Sequence, residues 1–586
     1  MLIFFPFLMS IPRAVPRFPC RGARHCLLAA GRPPEVQRLR FILIGLCLAF
    51  AINCPAAVWQ YSVPVPSIEN RRAFLWIPPA CPHVRGLVVA CQNMLEKPLF
   101  ERPAFRTACA ENGLGILMIF SGHDKGPDDD KNPNHPKRSA LDIFLNPNYP
   151  NGEEDPKGAG EDLQKALDAL ADESGYAELR HVPLLPVGHS SAGSFVWHLY
   201  RWDPSRIFAM MPFKTGAKDD GPQGIPILDV NSEWFDYGGA SNNCSSTPGS
   251  MGGVLRSRAG GQLFGYYIDA GSGHCNASDD SINIIGLFLK KAVAARIPVD
   301  APLDGPVILK NVPAESGWLL DPATLGKPDV GPVAYADWKG DPNKAFWYLD
   351  RELAATVQNH MAAQFAKQRQ QIGFIRPDGT ISTSGGMYGF SPKFLSDGAT
   401  FTVEAAFVDH LDKTDLFPPG TKLSHGNTPI YFRVNSGALI QTGSNSFRVC
   451  PHAGPLLPQG NPWEPTIVAY TAGDNRFQPT EHPAHVNVSI FNTAGQPQTI
   501  DFPSILDQAL GTTSLRLHAT ASSGLPVEYF MVSGPAEIEG DTLKFTPIPV
   551  RSKFPVRVLV AAYQWGRSEN PQVQSAGPVV REFLIR

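Results

Sequence analysis

Hydrophobic and polar positions follow two alternating patterns in the first half of the chain. Five short runs are almost entirely apolar, namely Gly86–Cys91, Leu114–Phe120, Val182–Val187, Ile225–Val230 and Leu263–Asp269. Such runs are typical of strands that are buried on both faces of a sheet. The segments between them have apolar residues at helical spacing, as in Leu163, Leu167 and Leu170. The alternation predicts an α/β domain over residues 58–297 with a doubly wound, mostly parallel sheet.

The pattern changes after residue 297. The segment Pro298–Asp341 is rich in proline, glycine and aspartate. Tyr348–Ile372 is predicted to be one helix, because its apolar residues are spaced four apart on one face. Short alternating segments separated by turns follow it, which indicates β structure. We therefore expect a mixed, mainly β domain at 298–497, with a helix at 348–372, and a small β-sandwich at 498–586.

The first 57 residues have the organisation of an export signal. Arg38 and Arg40 precede the apolar run Phe41–Ile52, and small residues follow it. The run is shorter than the ~20 apolar residues that a membrane-spanning helix needs. We therefore expect a secreted protein, or one in the periplasm or at the cell surface, with no stable membrane span once the signal is cleaved.

Charge and composition exclude some partners. The chain has 51 basic and 54 acidic residues and a formal net charge of −3. This balance provides no basic surface for nucleic acid, so no nucleic-acid partner is expected. The cysteines lack zinc-ligand spacing, and the acidic triplet Asp128–Asp130 is interpreted as a solvated loop. We expect neither a metal nor a cofactor.

The segment Val187–Gly193 predicts a nucleophilic serine. It lies between an apolar run and a helical segment, and a sharp strand-to-helix turn built from small residues can expose a serine hydroxyl at such a place. Ser190 has Gly188 two residues before it and Ala192 two residues after it. Ser191 would have the bulky His189 at the corresponding earlier position. Ser190 is therefore the predicted nucleophile, although alanine replaces the second glycine of the usual G-x-S-x-G pattern.

A serine hydroxyl needs a base, and the base needs an acid that orients it. His274 follows the last predicted strand, in a glycine-containing loop before the last helix, and is the predicted base. The acid is expected after the strand Ile225–Val230, where Glu233 is preferred by a small margin and Asp236 is the alternative. This gives the order serine, acid, histidine along the chain.

Backbone N–H groups must also stabilise the oxyanion that forms when the serine attacks. The residue after the nucleophile, Ser191, is expected to supply one of them. The loop after an early strand usually supplies the second, and here that loop begins with Gln92 and Asn93. The alternative for these two residues is that they only cap the following helix.

Two stretches carry a resemblance to a known family. Gly188–Gly193 and Gly271–His274 make residues 58–297 resemble the α/β-hydrolase superfamily, in particular secreted bacterial esterases such as polyhydroxybutyrate depolymerases, feruloyl esterases and acetyl xylan esterases. The resemblance implies a serine carboxylic ester hydrolase that works through an acyl-enzyme. The last 90 or so residues, through Gln498–Pro503 and Ala519–Val527, resemble bacterial Ig-like modules.

Together these features predict a secreted serine esterase whose substrate is an ester linked to a carbohydrate or another polymer. Two alternatives stay open. One is a serine peptidase of the same fold. The other is a non-catalytic surface or polymer-binding protein that uses an α/β-hydrolase shell. The sequence does not determine the oligomeric state.

Overall fold

The computed structural model describes residues 58–65, 72–119, 156–217, 221–234, 249–382, 388–411, 420–450, 465–488 and 492–586. All of these residues belong to one compact unit that spans 53–586. The predicted export signal and Asp236 lie outside the described residues. In the part of the chain that is described, no helix is long and apolar enough to cross a membrane.

An eight-stranded sheet forms the centre of residues 58–297. Its strands are β1 (Tyr61–Pro64), β2 (Arg72–Trp76), β3 (Gly86–Cys91), β4 (Leu114–Ile119), β5 (Leu184–His189), β6 (Met211–Phe213), β7 (Pro226–Ser232) and β8 (Leu263–Asp269). Their order in the sheet is β1-β2-β4-β3-β5-β6-β7-β8. Strand β2 runs in the opposite direction to the other seven strands, and all pairs that do not include β2 are parallel. The expected mostly parallel sheet is therefore confirmed.

Helices connect and cover these strands. They are α1 (Glu96–Phe100), α2 (Pro103–Glu111), α3 (Pro156–Ser174), α4 (Gly193–Trp202), α5 (Gly249–Ala259) and α6 (Asp279–Arg296). Every residue of β3, β4, β5, β7 and β8 is buried, as expected where both faces of a sheet are covered. A parallel sheet that alternates with helices in this way fits the α/β-hydrolase fold.

Residues 298–497, which we call the middle segment, contain one α-helix and many short strands among the described residues. The helix is α7 (Arg351–Phe365), and the strands are β9 (Trp318–Leu320), β10 (Val333–Ala334), β11 (Phe346–Tyr348), β12 (Ile372–Phe374), β13 (Tyr388–Phe390), β14 (Thr400–Thr402), β15 (Ala405–Phe407), β16 (His410–Leu411), β17 (Thr421–Lys422), β18 (Tyr431–Ser436), β19 (Leu439–Gln441), β20 (Ser446–Val449), β21 (Thr466–Thr471) and β22 (Thr480–Val486). The largest sheet has the order β13-β22-β21-β18 and contains one parallel pair, β13 with β22.

The predicted helix 348–372 is too long at both ends. Tyr348 belongs to β11 and Ile372 to β12. The side chain of Asp350 accepts a hydrogen bond from the N–H of Leu353, at 2.9 Å, and so caps the start of α7. The buried residues at helical spacing, Leu353, Val357 and Met361, all lie within α7, so the periodicity located the helix but did not mark its ends.

Residues 498–586, the C-terminal segment, consist of strands β23 (Ile500–Asp501), β24 (Ser514–Arg516), β25 (Thr520–Ala521), β26 (Glu528–Ser533), β27 (Ala536–Glu539), β28 (Thr542–Phe545), β29 (Val556–Gln564) and β30 (Ala576–Ile585). Two three-stranded sheets, β24-β28-β27 and β26-β29-β30, carry most of its core. The segment is rich in β structure as expected, and its resemblance to Ig-like modules stays a prediction.

Candidate active site

The predicted nucleophile lies at a strained turn between β5 and α4. Ser190 begins a short 3₁₀ turn, Ser190–Ala192, and has a φ of +54°, which is uncommon for a residue with a side chain. A Cβ atom on Gly188 would lie 2.0 Å from the carbonyl oxygen of Ala192. A Cβ on Gly193 would lie 2.3 Å from Oγ1 of Thr215. The turn therefore requires glycine at both positions, and its strain is of the kind found at functional sites.

His274 is brought to Ser190 from a distant part of the chain. It lies in the loop 270–278, between β8 and α6, which we call the histidine loop. Its Nε2 atom lies 2.8 Å from Oγ of Ser190. At this distance the imidazole can accept the hydroxyl proton as the serine attacks a carbonyl carbon.

His189, next to the nucleophile, has a different role. Its ring is buried, and its Nε2 lies 2.9 Å from the carbonyl oxygen of His274. The two rings are 4.8 Å apart. His189 therefore contacts the backbone of the histidine loop, whereas the ring of His274 contacts Ser190.

The structure does not bring Glu233 together with His274 in a hydrogen bond. Glu233 follows β7 and is fully buried. Its Oε1 accepts a hydrogen bond from Nε of Arg369 at 2.6 Å, and its Oε2 accepts one from the N–H of Gly271 at 2.8 Å. One oxygen of Glu233 thus holds the start of the histidine loop, and the other holds a side chain of the middle segment. The alternative acid, Asp236, lies outside the described residues.

The predicted oxyanion donors are only partly in place. Ser191 follows the nucleophile in the 3₁₀ turn. The N–H of Gln92 donates to the carbonyl oxygen of Ile119 at 2.8 Å, and the N–H of Asn93 donates to Oε2 of Glu96 at 2.9 Å. The side-chain amide of Asn93 donates to the carbonyl oxygen of His189 at 3.0 Å. The structure thus places Asn93 beside the turn that contains Ser190, with the N–H of Asn93 already hydrogen-bonded.

Comparisons with known proteins give structural matches only. No family model matches the chain, and neither does any curated protein. Three similar solved structures are esterase PE8 (15% identity, 40% of this chain and 99% of that chain, TM-score 0.25), an arylesterase (13%, 44% and 93%, 0.27) and the poly(3-hydroxybutyrate) depolymerase LpqC from Bordetella parapertussis (16%, 42% and 94%, 0.26). At this level of similarity the matches do not determine the reaction or the substrate of this chain.

Glu96 is a buried carboxylate that the sequence did not indicate. It lies in α1 and is 1% exposed. Its two oxygens accept hydrogen bonds from the N–H groups of His189 (2.7 Å), Asn93 (2.9 Å) and Met94 (3.0 Å). Burial raises the pKa of Glu96 to about 7, although these hydrogen bonds act in the opposite direction. The carboxylate therefore connects the loop after β3 to the end of the strand that leads into Ser190.

Lys214 is, like Glu96, a buried ionisable residue that the sequence did not indicate. It follows β6, has a φ of +52° and is 1% exposed. Its Nζ donates to the carbonyl oxygen of Gly273 at 2.5 Å, to Oγ of Ser272 at 3.1 Å and to the carbonyl oxygen of Asn276. A lysine directly after an apolar run was the only signal for it in the sequence. Lys214 holds the histidine loop from the side of the catalytic sheet.

Proposed function

We propose that this protein is a serine carboxylic ester hydrolase that acts through an acyl-enzyme. The observation that carries the proposal is the 2.8 Å contact between Oγ of Ser190 and Nε2 of His274, at a strand-to-helix turn with a strained serine. A serine hydroxyl becomes a useful nucleophile when a base within hydrogen-bond reach can take its proton.

In the proposed reaction Oγ of Ser190 attacks the ester carbonyl carbon while Nε2 of His274 takes the hydroxyl proton. The N–H of Ser191 stabilises the oxyanion. The tetrahedral intermediate then collapses, and the protonated His274 gives its proton to the leaving alcohol. Water repeats the sequence on the acyl-enzyme, which releases the acid and restores Ser190.

We assign the orienting acid to Asp236. Both oxygens of Glu233 accept hydrogen bonds from Gly271 and Arg369, which leaves Asp236 as the other predicted carboxylate after β7. The export signal and the resemblance to secreted esterases support a location outside the cytoplasm. The same resemblance supports an ester linked to a carbohydrate or another polymer as the substrate.

The first prediction tests the nucleophile. Release of p-nitrophenol from acetyl, butyryl and octanoyl esters should be measured for the wild type, Ser190→Ala and the matched control Ser191→Ala. Ser190→Ala should lower kcat by at least ~10³-fold, because the attacking oxygen is lost. Ser191→Ala should keep most of the activity, because its backbone N–H remains.

Labelling by a fluorophosphonate gives an independent measurement on the same three proteins. The wild type and Ser191→Ala should become labelled, and Ser190→Ala should not. A wild type that neither hydrolyses the esters nor reacts with the probe would contradict the proposal and favour a non-catalytic binding protein. Loss of labelling in Ser191→Ala alone would mean that the nucleophile is the neighbouring serine.

A further inference from the structure

The middle segment contacts the backbone of the histidine loop directly. The N–H of Glu481, in β22, donates to the carbonyl oxygen of Gly271 at 2.9 Å. The side chain of Asn435, in β18, donates to the carbonyl oxygen of Cys275 at 3.0 Å. Gly271 has a φ of +72°, and a Cβ atom there would lie 1.9 Å from the carbonyl oxygen of Pro479. The two backbones are therefore too close for any side chain at residue 271.

Asn276 connects the loop backbone to a charged group of the middle segment. Its side chain is fully buried. Its Oδ1 accepts a hydrogen bond from the N–H of Gly273, next to His274, at 2.8 Å. Its Nδ2 donates to Oε2 of Glu481 at 2.7 Å. Two hydrogen bonds thus lead from the N–H of the residue before the predicted base to a carboxylate that lies 205 residues after Asn276 in the chain.

Glu481 is itself held by a partly buried partner. Its Oε2 also accepts a hydrogen bond from the guanidinium of Arg433, in β18. The side chains of Arg433 and Glu481 are 18% and 12% exposed. Burial lowers the pKa of Arg433, but the carboxylate of Glu481 beside it outweighs this effect and raises the pKa, so the guanidinium is charged. Groups as enclosed as these have few alternative partners, which fixes the oxygen that Asn276 contacts.

This arrangement matters because proton transfer depends on the position of His274. Nε2 must stay within hydrogen-bond reach of Oγ of Ser190, and a displacement of about 1 Å can lower a rate ~100-fold. Lys214 holds the carbonyl oxygens of the loop from the catalytic sheet. From the middle segment, Glu481 holds the side chain of Asn276 and Asn435 holds the carbonyl oxygen of Cys275. The loop is thus fixed between two parts of the chain.

We propose that Arg433 and Glu481 of the middle segment position His274 through Asn276, so that the catalytic machinery of residues 58–297 is completed by residues 298–497. The inference rests on the proposed function, because it assigns His274 the role of the base. Glu481 and Asn276 are positioning residues: they touch neither the nucleophile nor the imidazole. The middle segment is in this way part of the active site, in addition to any role it has in binding a substrate.

The second prediction tests this link in the full-length protein. Asn276→Asp places a carboxylate against Glu481 and should lower kcat for p-nitrophenyl butyrate by ~10- to 100-fold with little change in KM. The rate of fluorophosphonate labelling should fall in parallel. Glu481→Gln keeps an oxygen that can accept from Asn276, and should have a smaller effect.

The double variant Asn276→Asp/Glu481→Gln is the decisive protein. It restores one carboxylate and one amide at the contact, with their positions exchanged. Its kcat should be at least ~5-fold higher than that of Asn276→Asp. A purely structural role would not produce this reciprocal recovery in kcat. Glu404→Gln, an exposed substitution in the same segment, is the matched control and should behave as the wild type. Thermal midpoints of all four variants should be measured alongside.

The outcomes separate this inference from the proposed function. A wild type without activity or labelling would overturn both. An active wild type whose Asn276→Asp variant has the same kcat as Glu404→Gln would overturn the inference alone. So would a loss in Asn276→Asp that the double variant does not recover, because the two residues would then not act as a pair.

Discussion

At the scale of single residues, Glu96 is an acid buried without a basic partner among its contacts. Backbone N–H groups from the loop after β3 and from the end of β5 surround its carboxylate. Three such donors compensate part of the cost of burying a charge, but the raised pKa indicates that burial outweighs them. Glu96 therefore links β5, the strand that leads into Ser190, to the loop after β3, and this link depends on the protonation of its carboxyl group.

The third prediction concerns the pH dependence of this residue. The pKa of Glu96 in the folded protein is about 7, above the value of 4.5 expected in the unfolded chain. The folded state therefore binds the proton more tightly, and this contribution to stability is complete below pH 4.5 and is lost as the pH rises to 7. Relative to Glu96→Gln, which does not titrate, the wild type should lose about 2–3 kcal/mol of unfolding free energy between pH 5 and pH 8.

Denaturant unfolding of both proteins at several pH values would measure this difference. Glu111→Gln, an exposed substitution in the neighbouring helix α2, provides the control. Its stability should follow that of the wild type at every pH. A constant difference between wild type and Glu96→Gln across the range would show that Glu96 does not titrate there.

At the scale of elements, local pattern was sufficient where burial and periodicity agree. The apolar runs of β3, β4, β5, β7 and β8 mark the strands of the sheet. Ser190 could be predicted as the nucleophile because small residues surround it within one turn. Glu96 and Lys214 could not be assigned, because only the fold brings Glu96 close to His189 and Lys214 close to Gly273. The contact of β22 with the histidine loop is similarly long-range, and nothing in Thr480–Val486 indicates it.

Helix α7 illustrates a case in which periodicity located the helix but not its ends. The fourth prediction uses its capping residue. Asp350 accepts from the N–H of Leu353 and also lies 2.6 Å from Nζ of Lys291, in α6. Asp350→Ala removes both interactions and should destabilise the protein by about 1–2 kcal/mol. Asp350→Asn keeps an oxygen for the cap and loses only a partly exposed ion pair, which should cost about 0.5 kcal/mol or less.

Chemical denaturation of the two variants distinguishes the cap from the ion pair. If Asp350→Asn were as destabilising as Asp350→Ala, the charge rather than the cap would define the start of the helix. Lys291→Met leaves the cap intact and removes this ion pair together with the one that Lys291 makes with Glu352. It serves as the control, and its effect should be at least that of Asp350→Asn and smaller than that of Asp350→Ala.

At the scale of the whole molecule, the C-terminal segment is docked on the eight-stranded sheet near its β1 edge. The N–H of Gly534 donates to the carbonyl oxygen of Trp59 at 2.8 Å, and Oγ of Ser62, in β1, lies 2.8 Å from Oγ of Ser533. The N–H of Lys553 donates to the carbonyl oxygen of Ser174 at 2.9 Å. An outer strand with uncovered polar groups can pair with other chains, and a docked segment prevents this.

The fifth prediction follows from this docking. Removal of residues 498–586 should lower the thermal midpoint by ~5 °C or more and promote association, because the edge near β1 and the apolar surface beneath the segment become exposed. Differential scanning calorimetry and light scattering measure the two effects.

In the full chain, Arg551→Ala should reproduce part of the loss, because Arg551 lies 3.1 Å from the buried Glu178 and stacks on Tyr176. Arg516→Ala, whose partner Asp541 is exposed, should not. A truncated protein that stays monomeric with an unchanged midpoint would mean that the segment is an independent appendage and does not support the catalytic sheet.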